Sequence, residues 1–418
     1  MTTIAQAVSC IDGYDPDALR VDKAAEAIRA CLVPVSGTEV VPTREALGRI
    51  LAQEIVPAID VPGHDNSAMD GFAVRSSDLK NQEIHLNLVG TAFAGRPFAG
   101  TVGAGECVRI MTGAVMPKGA DTVVVQEVCR AEGGRVAIPP GQKAGQNVRA
   151  AGEDLKAGVP VLEPGRALVA ADLGLIASLG IGEVAVKRRL RVAFFSTGDE
   201  LVSIGAPLKE GQVYDSNRYT LHGMLMRLGV EIQDLGVVRD DPAALEAAFR
   251  RAAASADAIV SSGGVSVGEA DFIRQLMAKL GEVLFWKIAM RPGRPMAFGR
   301  IGGAFLFGLP GNPVAVMVTF YQFVRNALFT LQGRTHFSLP VLSAESAAAI
   351  RKVPGRTEYQ RGVVYTDGGR WKARITGQQG SGVLRSMSEA NCFIVLEHER
   401  GNVQAGEPVQ VQLFEGLA

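Results

Sequence analysis

The chain has 418 residues, 47% hydrophobic and 21% charged, the make-up of a folded globular protein rather than a disordered one. Its 43 basic residues balance 43 acidic ones, so total charge points to neither nucleic acid nor an anionic membrane as partner. A small anion in a local basic pocket stays compatible with that balance, and the length predicts two to four domains.

Cys10, Cys31, Cys107, Cys129 and Cys392 form no CxxC pair, which argues against a disulfide framework and against a cysteine zinc site. Reduced, mostly buried thiols are expected. No basic-then-apolar leader opens the sequence, and no uninterrupted apolar run reaches the roughly 20 residues of a membrane span. A cytoplasmic location is expected.

In chain order, apolar spacing predicts a helix over 16–31, and a second helical piece over Arg44–Ala52. From about 58 to 155, short apolar runs alternate with Gly/Pro turns, predicting a small β-rich domain. A helix over Ala170–Leu179 stops at Gly180 and is expected to pack back on the N-terminal helices, so that the β-domain is an insertion on a helical stalk. Between about 188 and 333, strands at Val192–Phe195, Val230–Val237, Ala258–Val260, Val283–Ile288 and Ala304–Phe307 alternate with helices. That pattern predicts an α/β domain with a largely parallel sheet. After about 335, short strands such as Arg361–Tyr365 and Cys392–Leu396 predict a second small β-domain.

Ligands of open α/β sheets sit beyond the carboxyl ends of the strands. Three strand ends here carry unusual loops. Ser196, Thr197, Gly198, Asp199 and Glu200 supply hydroxyls and carboxylates. The stretch Ser261–Gly268, with Ser262, Gly263, Gly264 and Ser266, suits close backbone approach to a phosphate. Pro310, Gly311, Asn312 and Pro313 form a tight turn with Asn312 placed as N-cap. Each loop alone also reads as plain turn chemistry; three at one sheet edge, rich in carboxylates and hydroxyls, point to a site.

Lys287, Arg291 and Arg294 follow a strand and are held by Pro and Gly, which suits a tetrahedral oxyanion. Asp199, Glu200, Asp240 and Asp271 offer hard oxygen donors for a divalent ion, although Asp240 and Asp271 equally read as helix caps. The stretch Asp65–Arg75 crowds carboxylates and a glycine before a strand, and by itself reads as an Asx-turn.

Taken together, Asp65–Arg75, Arg109–Ala114, Arg149–Asp154, Ser196–Glu200, Ser261–Asp271, Lys287–Pro295, Gly308–Pro313 and Pro354–Arg356 resemble the molybdopterin molybdotransferase family, which includes the E domain of gephyrin. The resemblance spans nearly the whole chain. It implies a multidomain α/β plus β fold: a helical linker domain (16–57 and 158–187), an inserted β-rich domain (58–157), a central three-layer α/β molybdopterin-binding-like domain (188–335) and a C-terminal β-barrel-like domain (336–418). It further implies a homodimer whose cleft combines the central domain of one subunit with the inserted domain of the other. The adenylyltransferase that makes the substrate and the proteins that take up the product are the implied partners.

The implied reaction transfers molybdenum from molybdate to adenylylated molybdopterin, with AMP released and a divalent ion such as Mg2+ assisting. By the same resemblance Asp70, Thr112, Asp154 and Glu200 are catalytic, and Glu200, Asp240 and Asp271 are metal-side residues. Lys287, Arg291, Arg294, Arg356 and Ser381 hold oxyanions. Relatives commonly carry Lys-Pro-Gly-Lys-Pro where this chain has Arg291-Pro-Gly-Arg294-Pro, which keeps the charge and changes the donor geometry. An adenylyltransferase-like protein, a molybdopterin-binding scaffold and a tungsten-inserting enzyme are the alternatives. The presence of Asp65–Arg75 speaks against the first, and the retention of every chemistry-bearing loop against the second.

Overall fold

Blocks of β-branched and aromatic residues between Arg191 and Leu309 build one buried sheet, and that sheet organises the rest of the protein. The computed structural model describes residues 4, 15–263, 270–337 and 340–414. Helix α1 (Val21–Cys31) and strand β1 (Thr38–Pro42) come first. They are followed by β2 (Asn66–Ser67), β3 (Gly71–Val74), β4 (Ile84–Ala92), β5 (Glu106–Ile110), β6 (Thr122–Val125), β7 (Arg130–Glu132), β8 (Arg135–Ile138) and β9 (Val148–Arg149). Helix α2 (Ala170–Ser178) and β10 (Glu183–Lys187) lead into the central region.

There, β11 (Arg191–Thr197), β12 (Leu201–Val202), β13 (Val213–Tyr214), α3 (Ser216–Arg227), β14 (Glu231–Val238), α4 (Pro242–Ser255), β15 (Ala258–Ser262) and α5 (Ala270–Leu280) follow one another. Then come β16 (Gly281–Lys287), β17 (Met290–Arg291), β18 (Pro295–Ile301), β19 (Ala304–Leu309), α6 (Pro313–Thr319) and α7 (Arg325–Leu331), the two helices joined by a π turn at Phe320–Val324. The chain closes with β20 (Val341–Ser346), β21 (Thr357–Asp367), β22 (Arg370–Ile375), α8 (Leu384–Ser388), β23 (Cys392–Leu396) and β24 (Pro408–Leu413).

The central sheet has strand order β14-β11-β15-β19-β18-β16. The first four strands are mutually parallel, and only β18 runs against the rest. Strand β18 was not expected from sequence, because its opening prolines read as a turn. Register decides where the loops go: Ser196 pairs with Ser262, and Ser262 with Leu309, so β11, β15 and β19 end at one edge. Thr197 pairs with Val238, which brings the Asp240 loop to the same edge. The core under the sheet contains Phe194, Phe298, Phe307 and Trp286, each buried and each worth roughly 1.5–3 kcal/mol on burial.

The C-terminal strands β21-β22-β20-β24-β23 close into a five-stranded barrel through the β21–β23 pairing, and β17 adds to β21 in parallel. Residues 71–138 form a six-stranded sheet of order β6-β3-β5-β4-β8-β7, with β2 and β9 as a separate ribbon.

The linker departs from expectation. Arg44–Ala52 is not a helix: a single 3-10 turn, Thr43–Glu45, ends before Gly48 at φ +73°, and Ile50 and Leu51 then bridge to Ala167 and Val186. Most of the stalk is a β1–β10 ribbon with isolated bridges. Helix α2 packs on that ribbon, sharing a core with Ala46, Leu51 and Val186. Helix α1 instead buries Ala24, Ala27 and Ile28 in the central core, and 16–19, expected as its first turn, is a non-helical turn closed by Ala18 N on Asp15 O, after which Leu19 bridges Ile288. One helical stretch, Pro313–Leu331, is long and apolar enough to cross a membrane by length and composition, although Gln322, Arg325 and Asn326 interrupt its apolar run; 67% of its most apolar window is buried, as in a core helix.

Candidate functional site

Beyond β11, β15 and β19 the small residues of the three loops let the backbones nest. Gly263 sits at φ +91°, and a Cβ there would come within 2.5 Å of the Thr197 carbonyl, so only glycine fits. Ser196 is buried and donates its hydroxyl to Asp215 Oδ1 at 3.0 Å, so it braces the first loop from inside rather than facing a ligand. Thr197 is also buried, and its Oγ1 has no partner among the described residues. Asp199 Oδ1 accepts the backbone N–H of Asp240 at 3.3 Å, which ties the ends of β11 and β14 together. Glu200 is exposed beside them, its carboxylate close over Gly198. Gly264 and Ser266 lie outside the described residues.

The third loop faces a cleft of ≈ 470 Å³. Arg291, Arg294, Pro310, Gly311 and Asn312 line it together with Arg356 and Ser381, which the barrel contributes. Asn312 occupies the N-cap position with Pro313 next, as expected, yet its side chain makes no capping hydrogen bond and is left to line the cleft. Val314 N donates to Ser381 O at 3.1 Å, so the start of α6 is tied to the barrel segment that carries Ser381.

Electrostatics favour an anion there. Glu358, 1% exposed, accepts from Arg356 Nε at 3.2 Å, and its Oε1 stands 4.0 Å from Arg291 Nη1. One buried carboxylate therefore steadies two guanidinium groups, and with Arg294 the cleft keeps an excess of positive charge. Behind it Arg361, 1% exposed, donates to Ser386 Oγ at 3.1 Å and Gly380 O at 3.0 Å. Burial, and secondarily the nearby Arg291 charge, push the Arg361 guanidinium down to about 10, and it remains cationic at neutral pH. Gly293 forms the bend between the two cleft arginines at φ +97°.

Lys287 is absent from this lining. Its ammonium is paired with Asp17 Oδ1 at 2.7 Å, an ion pair brought about by the turn before α1, whose Pro16 carbonyl also accepts the Lys287 backbone N–H. Asp70 and Thr112 do meet: Asp70 Oδ1 accepts both the backbone N–H and the hydroxyl of Thr112, each at 2.8 Å. Those hydrogen bonds, the backbone one first, hold the Asp70 carboxyl below the usual carboxylate range. Asp154 is exposed nearby in sequence to Leu155, which bridges Val61. None of Asp70, Thr112 and Asp154 lines the arginine cleft of the same chain.

For a divalent ion the donors at the sheet edge have the right chemistry, hard carboxylate oxygens brought close by the Asp199–Asp240 contact. Asp241, not Asp240, caps α4, accepting from Ala244 N at 2.8 Å, which frees Asp240 from the capping role. The Asp271 side chain lies outside the described residues, among which no group of three or more His, Cys, Asp or Glu gathers as a metal cluster. Among the described cysteines, Cys107 and Cys392 are buried, and burial pushes both thiols up to about 12.

Comparison with known proteins assigns this arrangement. The MoeA N-terminal region (domain I and II) matches residues 19–180, the probable molybdopterin binding domain 193–330, and the MoeA C-terminal region (domain IV) 343–414. The molybdopterin molybdenumtransferase of Haemophilus influenzae is 47% identical over 383 residues, 91% of this chain and 95% of its own length. The chain belongs to the molybdopterin molybdenumtransferase family. That of Nostoc sp. is 38% identical over 90% of this chain and 88% of its own. Among solved structures, a molybdopterin biosynthesis MoeA protein from Pyrococcus horikoshii superposes with a TM-score of 0.84 at 28% identity, covering 95% of this chain and all of that one. A second structure from that organism gives a TM-score of 0.78 at 32% identity, covering 96% of this chain.

Within this molybdopterin molybdenumtransferase family member, sequence inspection missed Asp215, Asn217, Glu358 and Arg361. Asp215 and Asn217 flank the start of α3, where they read as ordinary capping residues; Asp215 does cap, accepting from Arg218 N at 3.1 Å. Glu358 and Arg361 lie in a continuously buried part of β21, Glu358 to Gly362, whose polar side chains read from sequence as solvent-facing. The proximity of Glu358 to Arg356 in sequence was the one available signal.

Proposed function

We infer that the chain is a molybdopterin molybdenumtransferase, inserting molybdenum into molybdopterin during cofactor biosynthesis. The observation that carries this is the convergence of Arg291, Arg294, Arg356, Gly311, Asn312 and Ser381 on one cleft. We further propose that the incoming metal arrives as molybdate, held there by the guanidinium groups and the Ser381 and Asn312 side chains. The pterin arrives adenylylated, its phosphates lying along the loops that end in Thr197 and Gly263. Cleavage of a phosphoanhydride needs fixed positive charge beside the oxygens on which negative charge builds, and no covalent nucleophile. Arginines immobilised by Glu358 supply that with little reorganisation. A bound Mg2+ would neutralise phosphate oxygens, with Glu200, Asp240 and Asp271 as the residues to hold it.

The protein functions as a homodimer in this proposal, with Asp70, Thr112 and Asp154 of one protomer completing the cleft of its partner. The four-part domain division and a cytoplasmic location belong to the same reading, as do functional links to the proteins that supply the adenylylated pterin and receive the finished cofactor.

The test is AMP release from purified protein given adenylylated molybdopterin and Mg2+, with and without molybdate. Molybdate-dependent release, reduced at least a hundredfold in Asp70→Ala and in Arg291→Ala, is expected. Mixing the two inactive variants should restore part of the activity through mixed dimers. Release unaffected by molybdate would sink the reaction, and failure to complement would sink the shared cleft.

A further inference from the structure

The three strand-end loops are joined by a residue that the reaction scheme does not use. Asn217, 7% exposed, sits in the first turn of α3. Its Nδ2 donates to Ser262 Oγ at 2.8 Å, at the end of β15, and to Gly311 O at 2.7 Å, in the loop after β19. A carbonyl only accepts, so the bond to Gly311 fixes which end of the amide points inward, and both amide hydrogens are used. Two residues earlier, Asp215 takes the Ser196 hydroxyl, which ties the first loop to the same helix start. Gly311 and its neighbours Pro310 and Asn312 line the arginine cleft, and an added Cβ on Gly311 would stand 4.0 Å from Gly263 Cα.

We propose that Asn217 is a positioning residue for the oxyanion cleft: through Gly311 it holds the Pro310–Asn312 loop in register with Ser262, and so sets the part of the cleft lining that this loop supplies. This rests on the reading of the cleft as the oxyanion site. Asn217 acts on the oxyanion through the backbone of that loop and touches no reacting atom. Losing the Gly311 tie frees a carbonyl beside the cleft and lets the Asn312 side chain wander, and it also releases the Ser262 hydroxyl, which itself reaches Pro310 O at 3.5 Å.

Two measurements on full-length protein separate this from a purely structural role. The first is amide hydrogen exchange of the peptide covering 308–315, without ligand. The second is molybdate affinity by calorimetry, well below the melting temperature. In Asn217→Ala, exchange over 308–315 should quicken about tenfold and molybdate affinity should fall about tenfold. Asn217→Asp, isosteric but without the donors, should behave as Asn217→Ala does, and it decides the matter if the alanine variant does not fold.

Unchanged exchange in the loop, or faster exchange with unchanged molybdate affinity, overturns the proposal. Wild-type protein that binds no molybdate sinks the oxyanion reading alone, and the exchange measurement then still decides whether Asn217 holds the loop.

Discussion

The Lys287 ammonium stands 2.7 Å from the carboxylate of Asp17, a residue 270 positions earlier in the chain. The same carboxylate feels the charges of Arg274 and Arg294. Asp17 is thus an internal anion beside the cations that sequence assigns to a ligand oxyanion. Asp17→Asn should strengthen molybdate binding severalfold at low salt, and the gain should shrink as ionic strength rises. A titration at two salt concentrations checks this; equal affinity in both proteins would refute it. The Lys287 hydrogen bond and charge hold the Asp17 carboxyl below the usual range. The pairing is therefore complete above the ordinary carboxylate pKa and disappears only as pH falls through the lowered value.

Thr112 gives Asp70 two hydrogen bonds, one from the backbone and one from its hydroxyl. Thr112→Val keeps the first and removes the second, so the Asp70 carboxyl should rise part of the way toward its ordinary value. Carboxyl NMR titration of both proteins measures this directly. The acid limb of the pH–activity profile should move up in the same direction, since Asp70 then loses its charge at higher pH. An unmoved titration would mean that the backbone N–H alone sets the carboxylate.

Gly293 bends the chain between Arg291 and Arg294 at φ +97°, and a Cβ there would come within 2.6 Å of Thr319 Oγ1. Gly293→Ala should cost about 1–3 kcal/mol in urea unfolding, from the left-handed backbone and the contact together. Molybdate affinity should fall more than stability explains, because both arginines leave their places. Full affinity in the folded variant would show that the bend is dispensable.

Arg361 is buried with its donors committed to Ser386 Oγ and the carbonyls of Gln378 and Gly380. Arg361→Met keeps the bulk and abandons those acceptors, which should destabilise the barrel by about 2–4 kcal/mol. Urea denaturation followed by Trp371, on β22, reads the effect. A loss below 0.5 kcal/mol, on the order of a surface substitution, would rule out this bracing role.

Local chemistry made much of this legible. Strands ending in Ser, Thr and Gly after β-branched runs marked β11, β15 and β19, and parallel order then placed their loops at one edge. Proline and glycine around Arg291 and Arg294 marked a fixed cationic turn. What escaped depends on distant pairing. Leu47, Ile50 and Leu51 carry helical spacing, yet Ile50 and Leu51 are claimed by Ala167 and Val186, over a hundred residues away. Lys287 looked free because Asp17 was read as part of a helix. Arg356 and Arg361 look alike in sequence; only barrel closure makes one a cleft cation and the other an interior brace.

Strand β17 lies between two strands of the central sheet in sequence, but pairs with β21 of the barrel: Met290 opposite Thr357 and Arg291 opposite Glu358. Tyr359, Met387 and Phe393 of the barrel also belong to the same apolar core as Trp286 and Phe307. The jaws that carry Arg291 and Arg356 are therefore stitched into one body, and no hinge runs between them. The gap between those arginines is fixed when the chain folds, so selection among oxyanions of different radius falls to side-chain rotamers.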